Sequence, residues 1–476
     1  MNAFEQAELE KVQGLLCAGR TLEAKEVLDL LQAKISHTFR QRDFWRLDEL
    51  YGACFHDLGD MEGVVQAYWQ ASSHDRFLRS QLEHFSSYLF ALHYLPGLVD
   101  QELSSQHFAY NKFFAAVERF QHEKQPKEKL RIGYLSPDFR DHAVGRCLWP
   151  FFKAADRTRY EVYGYTMRQT EDETTQRMRK LADGWRCLAE IPFAQAARQI
   201  YDDQIDILVD LAGHSDGGRT LMIAAYKPAP VQLTGIGWFD TTGLSAIDYF
   251  LTDRFCAAGE QQGLFSEALL RLPHTHLCYT PVSIAPLAGK RVGETGIRFG
   301  CLNNFAKITD EMLVLWRTIL QAVPGAQLLL KDTMRLPERL QQMRKRVLAA
   351  GFSAGQVEIC GASERYLSAY QRVDIALDTY PYPGGITSCD ALYMGTPLVT
   401  LAGTRHSTRF GLSILQNLDL TSLIADNPET YKEIAVTLAR NRTRLRELQG
   451  SLRQRMQESR LMNDVGYMRD VEKMYE

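Results

Sequence analysis

The stretch 378–397, DTYPYPGGITSCDALYMGTP, has the residue types of a phosphate-binding turn. A hydrophobic strand is predicted to end at Asp378, and after two glycines Thr387 and Ser388 stand at the predicted start of an amphipathic helix. Glycines let the backbone approach a ligand closely, and hydroxyl groups and the unpaired amides of a helix N-terminus bind phosphate oxygens. The stretch lacks the G-x-x-x-x-G-K-[ST] pattern and is therefore not a Walker A loop. An ordinary strand-to-helix turn is the alternative interpretation.

A second cluster lies in FGCLNNFAKITDEML (299–313), where a strand is predicted to give way to a loop and then to a helix. Asn303, Asn304 and Lys307 stand where that strand ends. A lysine ammonium can neutralise a diphosphate leaving group, and asparagine amides can bind a base or a sugar. The alternative is a helix-capping loop with a solvated lysine.

Two histidines follow other predicted strands. His142 lies in SPDFRDHAVG (136–145), and His214 lies in VDLAGHSDGGRT (209–220), with Asp210 at the strand end. Each histidine alone is more often a capping or core residue than a catalyst. Two of them at strand ends of one lobe, opposite a phosphate-binding lobe, favour acid–base chemistry. No third His or Cys lies at ligand spacing, so we expect no metal site.

A regular alternation of strands and helices from about residue 130 must position these segments. Short β-branched or aromatic runs that end in Gly, Ser or Thr, such as LRIGYLS (130–136) and IDILVDLAG (205–213), alternate with helical stretches. This alternation predicts parallel βαβ units. A Gly-rich, charged stretch at 286–296 separates two such blocks. We therefore expect two doubly wound lobes that bind ligands at the carboxyl ends of their strands.

The first 125 residues are predicted to be helical, because apolar residues recur at helical spacing and proline is nearly absent. Two helix pairs are expected, over 5–33 with a turn at Gly19-Arg20 and over 46–73 with a turn at Gly59-Asp60. The second pair has small and aromatic residues placed as in a tetratricopeptide repeat. A plain helical cap is the alternative interpretation.

Composition narrows the class of protein. The chain has 476 residues, 45% of them hydrophobic, and a formal net charge of −3, which argues against a general nucleic-acid binder. Its nine cysteines form no C-x-x-C pair and are expected to be reduced thiols of a cytoplasmic protein. The N-terminus lacks the apolar core of a signal peptide, and no run of about 18 apolar residues occurs, so we expect no membrane segment.

Over residues 130–475 the chain resembles the O-linked N-acetylglucosamine transferase/SPINDLY family of protein glycosyltransferases. The matching stretches, in family order, are LRIGYLSPDFRDHAVG, IDILVDLAGH, KPAPVQLTGIGW, TTG, IDYFLTD, FSEALLRLP, FGCLNNFAKIT, DIALDTYPYPGGITSCDALYMGTPLVTLAG and LMNDVGYMRDVEKMYE. The resemblance implies an α/β glycosyltransferase-B fold of two Rossmann-like lobes, preceded by an all-α, tetratricopeptide-like region. We place the three parts at 1–125, 128–287 and 293–476.

The resemblance also implies an inverting, metal-independent enzyme without a cofactor, whose second lobe holds a nucleotide-sugar donor. The residue patterns and the resemblance together assign the donor site to Asn303, Asn304, Lys307, Leu330, Lys331, Tyr366, Gly385, Ile386, Thr387, Ser388 and Asp390. Within this set, Lys307 would meet the diphosphate and Asp390 would hold the ribose. Tyr366 would lie near the base, and Leu330 and Lys331 would line the site from a strand end.

His142 matches the family's histidine near the acceptor and the sugar. His142, His214 and Asp210 all stay open as the general base for the acceptor hydroxyl, as does the donor's own phosphate. Lys307 and a helix N-terminus would stabilise the charge on the leaving diphosphate.

Two departures from the family bear on the substrates. Phe239 and Asp240 replace a Pro-Gly pair in a loop that the family places near sugar and acceptor, and the family's long repeat array is not seen in this sequence. We expect transfer of N-acetylglucosamine from UDP-N-acetylglucosamine to Ser or Thr of proteins. The alternatives are protein O-fucosylation from GDP-fucose and a non-catalytic partner or chaperone of another glycosyltransferase. Expected partners are protein acceptors, such as flagellin or other surface proteins, and an adaptor or a second copy of the chain at the helical region.

Overall fold

The computed structural model describes residues 3–34, 43–123, 126–259, 261–281, 296–364 and 366–476. The ends predicted for the three parts of the chain at 125, 287 and 293 lie outside these residues. The helices and strands below are those of the described ranges.

Helices form the first part of the chain. They are α1 (Ala3–Cys17), α2 (Thr21–Lys34), α3 (Phe44–Leu58), α4 (Met61–His74), α5 (Leu78–Leu92) and α6 (Asp100–Ala109), followed by a 3-10 turn over Tyr110–Phe114. Gly19 lies between α1 and α2, and Gly59 lies between α3 and α4, with φ of 70° and 78°. These left-handed conformations favour glycine and end the preceding helix. Both predicted helix pairs are therefore confirmed.

A seven-stranded parallel sheet follows. Its strands are β1 (Leu130–Ser136), β2 (Tyr160–Thr166), β3 (Gly184–Cys187), β4 (Ile207–Asp210), β5 (Val231–Gly235), β6 (Tyr249–Asp253) and β7 (Ala268–Leu272), in the order β3-β2-β1-β4-β5-β6-β7. The helices of this lobe are α7 (Ala143–Lys153), α8 (Glu173–Leu181), α9 (Phe193–Asp202) and α10 (Arg219–Ala224).

A second parallel sheet contains β8 (Arg298–Cys301), β9 (Gln327–Lys331), β10 (Val357–Cys360), β11 (Ile375–Leu377), β12 (Leu398–Leu401) and β13 (Ile424–Ala425), in the order β10-β9-β8-β11-β12-β13. The helices after β8 are α11 (Asp310–Ala322), α12 (Pro337–Ala349), α13 (Ile386–Tyr393), α14 (Phe410–Gln416), α15 (Pro428–Arg440), α16 (Arg442–Glu458) and α17 (Asp464–Glu472). None of the helices in the described ranges is long and apolar enough to cross a membrane.

In each sheet the direction of strand addition reverses between two central strands, β1 and β4 in the first sheet and β8 and β11 in the second. Such a reversal opens a crevice outside the carboxyl ends of the strands, where ligands bind. The four segments singled out from the sequence, 136–145, 209–220, 299–313 and 378–397, each include or follow the end of one of these strands. The predicted fold, an all-helical part followed by two Rossmann-like lobes, is confirmed.

The last helix returns to the first lobe. The Tyr134 and Tyr475 hydroxyls are 3.2 Å apart, and the ring centroids of Phe151 and Tyr467 are 5.8 Å apart. The sequence assigned α17 to the second lobe, and this assignment needs correction, because Tyr467 of α17 and Tyr475 after it complete the core beside β1 and α7. The chain therefore crosses between the lobes a second time.

The tight start of α7 gives a test of the fold. A Cβ on Gly145 would lie 2.2 Å from the carbonyl oxygen of Arg140 and 2.6 Å from that of Asp138. We expect Gly145→Ala to lower the free energy of unfolding by about 1–3 kcal/mol, because this loop backbone must shift. Gly450→Ala in α16 is the matched control: a Cβ there meets no atom within 4 Å, so alanine should be neutral or stabilising by up to about 1 kcal/mol. Thermal denaturation compares the two, and a neutral Gly145→Ala would contradict the close contact.

Candidate functional site

An ion pair joins α7 to α13, the helices that start beside the crevices of the two sheets. Arg146, in the first turn of α7, donates from Nη2 to Oδ1 of Asp390 at 2.6 Å. The Tyr279 hydroxyl donates to the same oxygen at 2.6 Å, and the Tyr366 hydroxyl donates to Oδ2 at 2.7 Å. The Arg146 and Asp390 side chains are only 10% and 1% exposed, so water screens their attraction weakly. The contact holds the start of α7 against α13.

The ribose role predicted for Asp390 stays a prediction. Both carboxylate oxygens already accept hydrogen bonds from the arginine and the two tyrosines. A ribose hydroxyl would have to compete with these donors. Tyr366, predicted near the base, also accepts a hydrogen bond from Arg146 at 2.9 Å. Asp390 and Tyr366 are brought together, but as parts of the contact between the lobes.

A buried carboxylate shapes the turn before α13. Oδ1 of Asp378 accepts hydrogen bonds from the amides of Gly384 at 2.8 Å and Thr379 at 3.0 Å, and Oδ2 accepts one from the Thr400 hydroxyl at 2.8 Å. Burial raises the pKa of Asp378 to about 6, although these hydrogen bonds favour the ionised form. The end of β11 therefore fixes the backbone that leads into the helix.

The turn itself has the construction of an anion site. α13 begins at Ile386, with Gly385 at its N-cap. The first amides of a helix have no acceptor within the helix, which gives its N-terminus affinity for phosphate. Gly385, Ile386 and Thr387 are half-buried. Ser388 is buried, and a Cβ on Gly384 would lie 2.3 Å from its Oγ, so its hydroxyl points back into the turn.

Lys307 reaches the same turn from the other predicted segment. Its Nζ donates to the carbonyl oxygen of Pro383 at 3.2 Å and lies 3.6 Å from the centroid of the Tyr382 ring. Burial lowers the pKa of Lys307 to about 8, and the nearby Asp378 carboxylate opposes that shift. The structure thus places an ammonium group beside the residues that begin α13.

The two predicted asparagines shape the loop that carries Lys307. Asn303 is buried and donates from Nδ2 to the Thr379 hydroxyl at 3.2 Å. Oδ1 of Asn304 accepts a hydrogen bond from the amide of Ala306 at 2.9 Å, which caps the 3-10 turn Phe305–Lys307. These contacts hold the turn. They occupy the side-chain nitrogen of Asn303 and the side-chain oxygen of Asn304 with protein partners.

The strand-end residues Leu330 and Lys331 do not join this cluster. The Leu330 side chain is fully buried in the core of the second sheet. Lys331 is also buried, and its Nζ donates to the carbonyl oxygen of Gly361 at 2.5 Å. Their predicted place in the lining of the site therefore needs correction, because both side chains serve the sheet itself.

His142 stands at the N-cap of α7, one turn before the arginine of the ion pair. Its Nδ1 accepts a hydrogen bond from the amide of Val144 at 3.3 Å and lies 3.3 Å from Oδ1 of Asp138. Burial lowers the pKa of His142, and Asp138 opposes this shift. Because Nδ1 acts as an acceptor in this N-cap, the neutral ring carries its proton on Nε2; a switch of Nδ1 to donate to Asp138 would leave Nε2 unprotonated. The ring is therefore favoured in its neutral form at the start of α7, and base chemistry at Nε2 requires this change of tautomer.

Asp210 and His214 are both buried, at 1% exposed. Asp210 accepts hydrogen bonds from the Gly213 amide at 2.9 Å and the Thr234 hydroxyl at 2.7 Å. The ring nitrogens of His214 contact the Ser86 hydroxyl at 3.0 Å and the carbonyl oxygen of Thr242 at 2.8 Å. Their prediction as general bases needs correction: helix α5 covers this strand end, and no free nitrogen of His214 faces a cleft.

The loop after β5 that departs from the family pattern is buried at the contact between the lobes. The Phe239 ring centroid lies 4.7 Å from that of Tyr382, the ring below the Lys307 ammonium. Asp240 is fully buried and accepts a hydrogen bond from Nε of Arg405 in the second lobe. Phe239 therefore supports the aromatic platform under Lys307.

The sequence did not indicate three residues of this site. Arg146 follows His142 by one helical turn, so helical spacing could have placed the two on one side of α7. Tyr382 lies inside the predicted phosphate-binding stretch, but its side chain carried no local signal. Tyr279 is brought in from the end of the first lobe, which no local pattern indicates.

One group of potential metal ligands occurs among the described residues. Ligand atoms of Asp253, Cys256 and His276 lie within 4.8 Å of one another, and all three residues are buried. Oδ2 of Asp253 already accepts hydrogen bonds from Nδ1 of His276 at 2.6 Å and from the Ser413 hydroxyl at 2.7 Å. A metal ion would have to displace these bonds, so the residues fit a hydrogen-bonded contact between the lobes better than a metal site.

Known proteins similar to this chain are glycosyltransferases. A family model described as glycosyl transferase family 41 matches residues 111–280 and 282–471. Proteins of Solanum lycopersicum and Arabidopsis thaliana named "probable UDP-N-acetylglucosamine--peptide N-acetylglucosaminyltransferase SPINDLY" are 34% identical over 404 residues, 81% of this chain. The chain spans only 43% and 44% of their lengths. The structure of an O-GlcNAc transferase mutant from Thermobaculum terrenum matches with a TM-score of 0.83 and 28% identity, over 100% of this chain and 98% of that one.

The lowered pKa of Lys307 predicts how anion binding depends on pH. An ammonium with a pKa of about 8 loses its charge above that pH, so we expect the affinity for a nucleoside diphosphate to weaken as the pH rises past 8. Lys307→Arg keeps its charge and should flatten this dependence, whereas the control Lys331→Arg should not. Isothermal titration with UDP, or with GDP if UDP does not bind, measures both. The same pH dependence in Lys307→Arg as in the parent would exclude this role for Lys307.

Proposed function

This chain belongs to glycosyl transferase family 41, and from that premise we propose that it is an inverting, metal-independent protein O-glycosyltransferase. Its donor would be UDP-N-acetylglucosamine and its acceptors Ser or Thr hydroxyls of proteins. The observation that carries the proposal is the ion pair between Arg146 and Asp390. It fixes α7, which starts beside His142, against α13, which starts at the phosphate-binding turn. A base and an anion site thus belong to two helices held in contact.

The second lobe would stabilise the leaving group. As the bond between the anomeric carbon and the diphosphate breaks, negative charge develops on the phosphate oxygens. The amides at the start of α13, the Thr387 hydroxyl and the Lys307 ammonium are the groups available to meet that charge. These fixed protein donors would balance that charge without a metal ion.

The first lobe would activate the acceptor. Nε2 of His142 accepts the proton of the acceptor hydroxyl. The hydroxyl oxygen attacks the anomeric carbon on the side opposite the departing diphosphate. Asp138 lies 3.3 Å from Nδ1 and would accept a hydrogen bond from it in place of the bond that Nδ1 accepts from the Val144 amide, which leaves Nε2 unprotonated. A single displacement of this kind inverts the anomeric configuration.

The names of the similar proteins support UDP-N-acetylglucosamine as the donor. GDP-fucose is the alternative donor. Phe239 departs from the family pattern and packs on Tyr382, the ring below the Lys307 ammonium, so the departure lies next to the proposed donor site. We also propose that the acceptors include flagellin or other surface proteins. An adaptor or a second copy of the chain would bind at the helical region.

A donor screen tests the proposed chemistry. We expect UDP and UDP-N-acetylglucosamine to raise the melting temperature, and GDP and GDP-fucose to leave it unchanged. Labelled N-acetylglucosamine should then pass from the donor to protein in a cell lysate, and EDTA should not reduce the transfer. A shift with GDP alone would support fucosylation. No shift with any of these at millimolar concentration would support a non-catalytic partner.

Replacement of the proposed base gives a second test. His142→Ala should lower kcat by about 10²–10⁴-fold and leave UDP affinity unchanged, because the second lobe holds the diphosphate. His274→Ala, a half-buried histidine after β7, is the control and should keep full activity. Protonation below its lowered pKa inactivates a base, so kcat/KM of the parent should fall on the acid side with a midpoint below about 6.5. Asp138→Asn removes the charge that opposes the shift and should move this midpoint lower. Full activity of His142→Ala would leave the donor phosphate as the base.

A further inference from the structure

A buried arginine connects the helical part of the chain to the loop that carries Lys307. Arg339 in α12 is 1% exposed. Its Nε donates to Oδ2 of Asp332 at 2.7 Å, and its Nη2 donates to Oδ1 of Asn304. Its Nη1 donates to the carbonyl oxygens of His56 at 2.7 Å and Asp57 at 3.3 Å, in the last turn of α3. One guanidinium therefore bonds to three separate segments.

Two of these contacts hold the turn that ends at Lys307. Oδ1 of Asp332, the ion-pair partner of this arginine, accepts a hydrogen bond from the amide of Phe305 at 3.1 Å. Asn304, the other partner, caps the amide of Ala306. The residues immediately before Lys307 are thus fixed through side chains that the arginine itself holds.

Apolar contacts from the helical part reach the same turn. Ala306 packs in one cluster with Met61 of α4 and with Tyr94, which follows α5. The ring centroids of Tyr94 and Tyr382 are 5.0 Å apart, and the Tyr382 ring lies below the Lys307 ammonium. The helical part therefore contacts both the turn and the platform of this lysine.

We propose that Arg339 is a positioning residue for the donor site, through which the helical part of the chain sets the position of Lys307. The inference rests on the proposed function, since it takes Lys307 as the group that meets the donor diphosphate. It gives α1–α5 a share in donor binding, in addition to any role with acceptors.

The chemistry of the bridge requires a guanidinium. The planar group donates in three directions at fixed angles, to a carboxylate, to an amide oxygen and to the carbonyl end of a helix. A lysine in the same place can pair with Asp332 but cannot also reach Asn304 and α3. Arg339→Lys therefore keeps the buried positive charge and removes the bridge, whereas Arg339→Leu would leave Asp332 unpaired and risk misfolding.

Steady-state kinetics of Arg339→Lys test the proposal against a matched control. The neighbouring Glu338 holds the same helical part on α12, because its carboxylate accepts a hydrogen bond from the amide of Leu22 at 2.6 Å, but it does not contact the turn. We expect Arg339→Lys to raise KM for the donor about tenfold, with KM for the acceptor unchanged. Glu338→Ala should leave both unchanged. Equal effects of the two variants on donor KM, or none in Arg339→Lys, would overturn the proposal.

Hydrogen exchange separates this proposal from the proposed function. In Arg339→Lys, the amides of residues 302–308 should exchange faster than in the parent, and the amides of the first sheet should exchange at the parent's rate. In Glu338→Ala, the amides of residues 302–308 should also exchange at the parent's rate. Unchanged exchange at 302–308 would overturn the positioning role even if the parent is active. Suppose that residues 302–308 exchange faster in Arg339→Lys and that the parent binds no nucleotide sugar. This result would support the bridge and contradict the proposed function.

Discussion

The buried ion pair between Arg146 and Asp390 is the contact on which the cleft depends. Charges removed from water are stable only when their attraction and further hydrogen bonds compensate the lost hydration. Here two tyrosine hydroxyls complete the bonding of the carboxylate. Loss of one partner would leave an uncompensated buried charge, which costs about 3–5 kcal/mol. The relative position of α7 and α13 is thus strongly specified.

This constraint explains how the chemistry is divided. His142 belongs to the first turn after β1, whereas Lys307 and the anion turn belong to the segments after β8 and β11. Each lobe supplies one part of the proposed reaction from the crevice between its central strands. The aromatic contact between Phe239 and Tyr382 and the pair between Asp240 and Arg405 join the lobes near the same place. The proposed site therefore lies where the two lobes contact each other.

Local periodicity was enough to predict both sheets, the helix pairs and the strand ends that carry His142, Lys307 and Thr387. Local periodicity does not indicate which strand end is covered by a distant part of the chain. His214 stands at a central strand end like His142, but it bonds to Ser86 of α5, a residue 128 positions away. The hydrogen-bond partners of Asp390 also come from three separate segments, which local patterns do not bring together. Predictions of element type thus held, and predictions of free side-chain groups failed where non-local packing decided them.

The return of α17 to the first lobe has a consequence for synthesis on the ribosome. Tyr467 and Tyr475 cover Tyr134, Phe151 and their neighbours, so the first lobe has an incomplete core until this helix has been made. Helix α17 follows the end of β7 by roughly 190 residues, which take on the order of 10–40 s to translate. During that interval the nascent first lobe exposes an aromatic surface that chaperones can bind. The second lobe, although synthesised later, has its sheet and covering helices complete before the first lobe does.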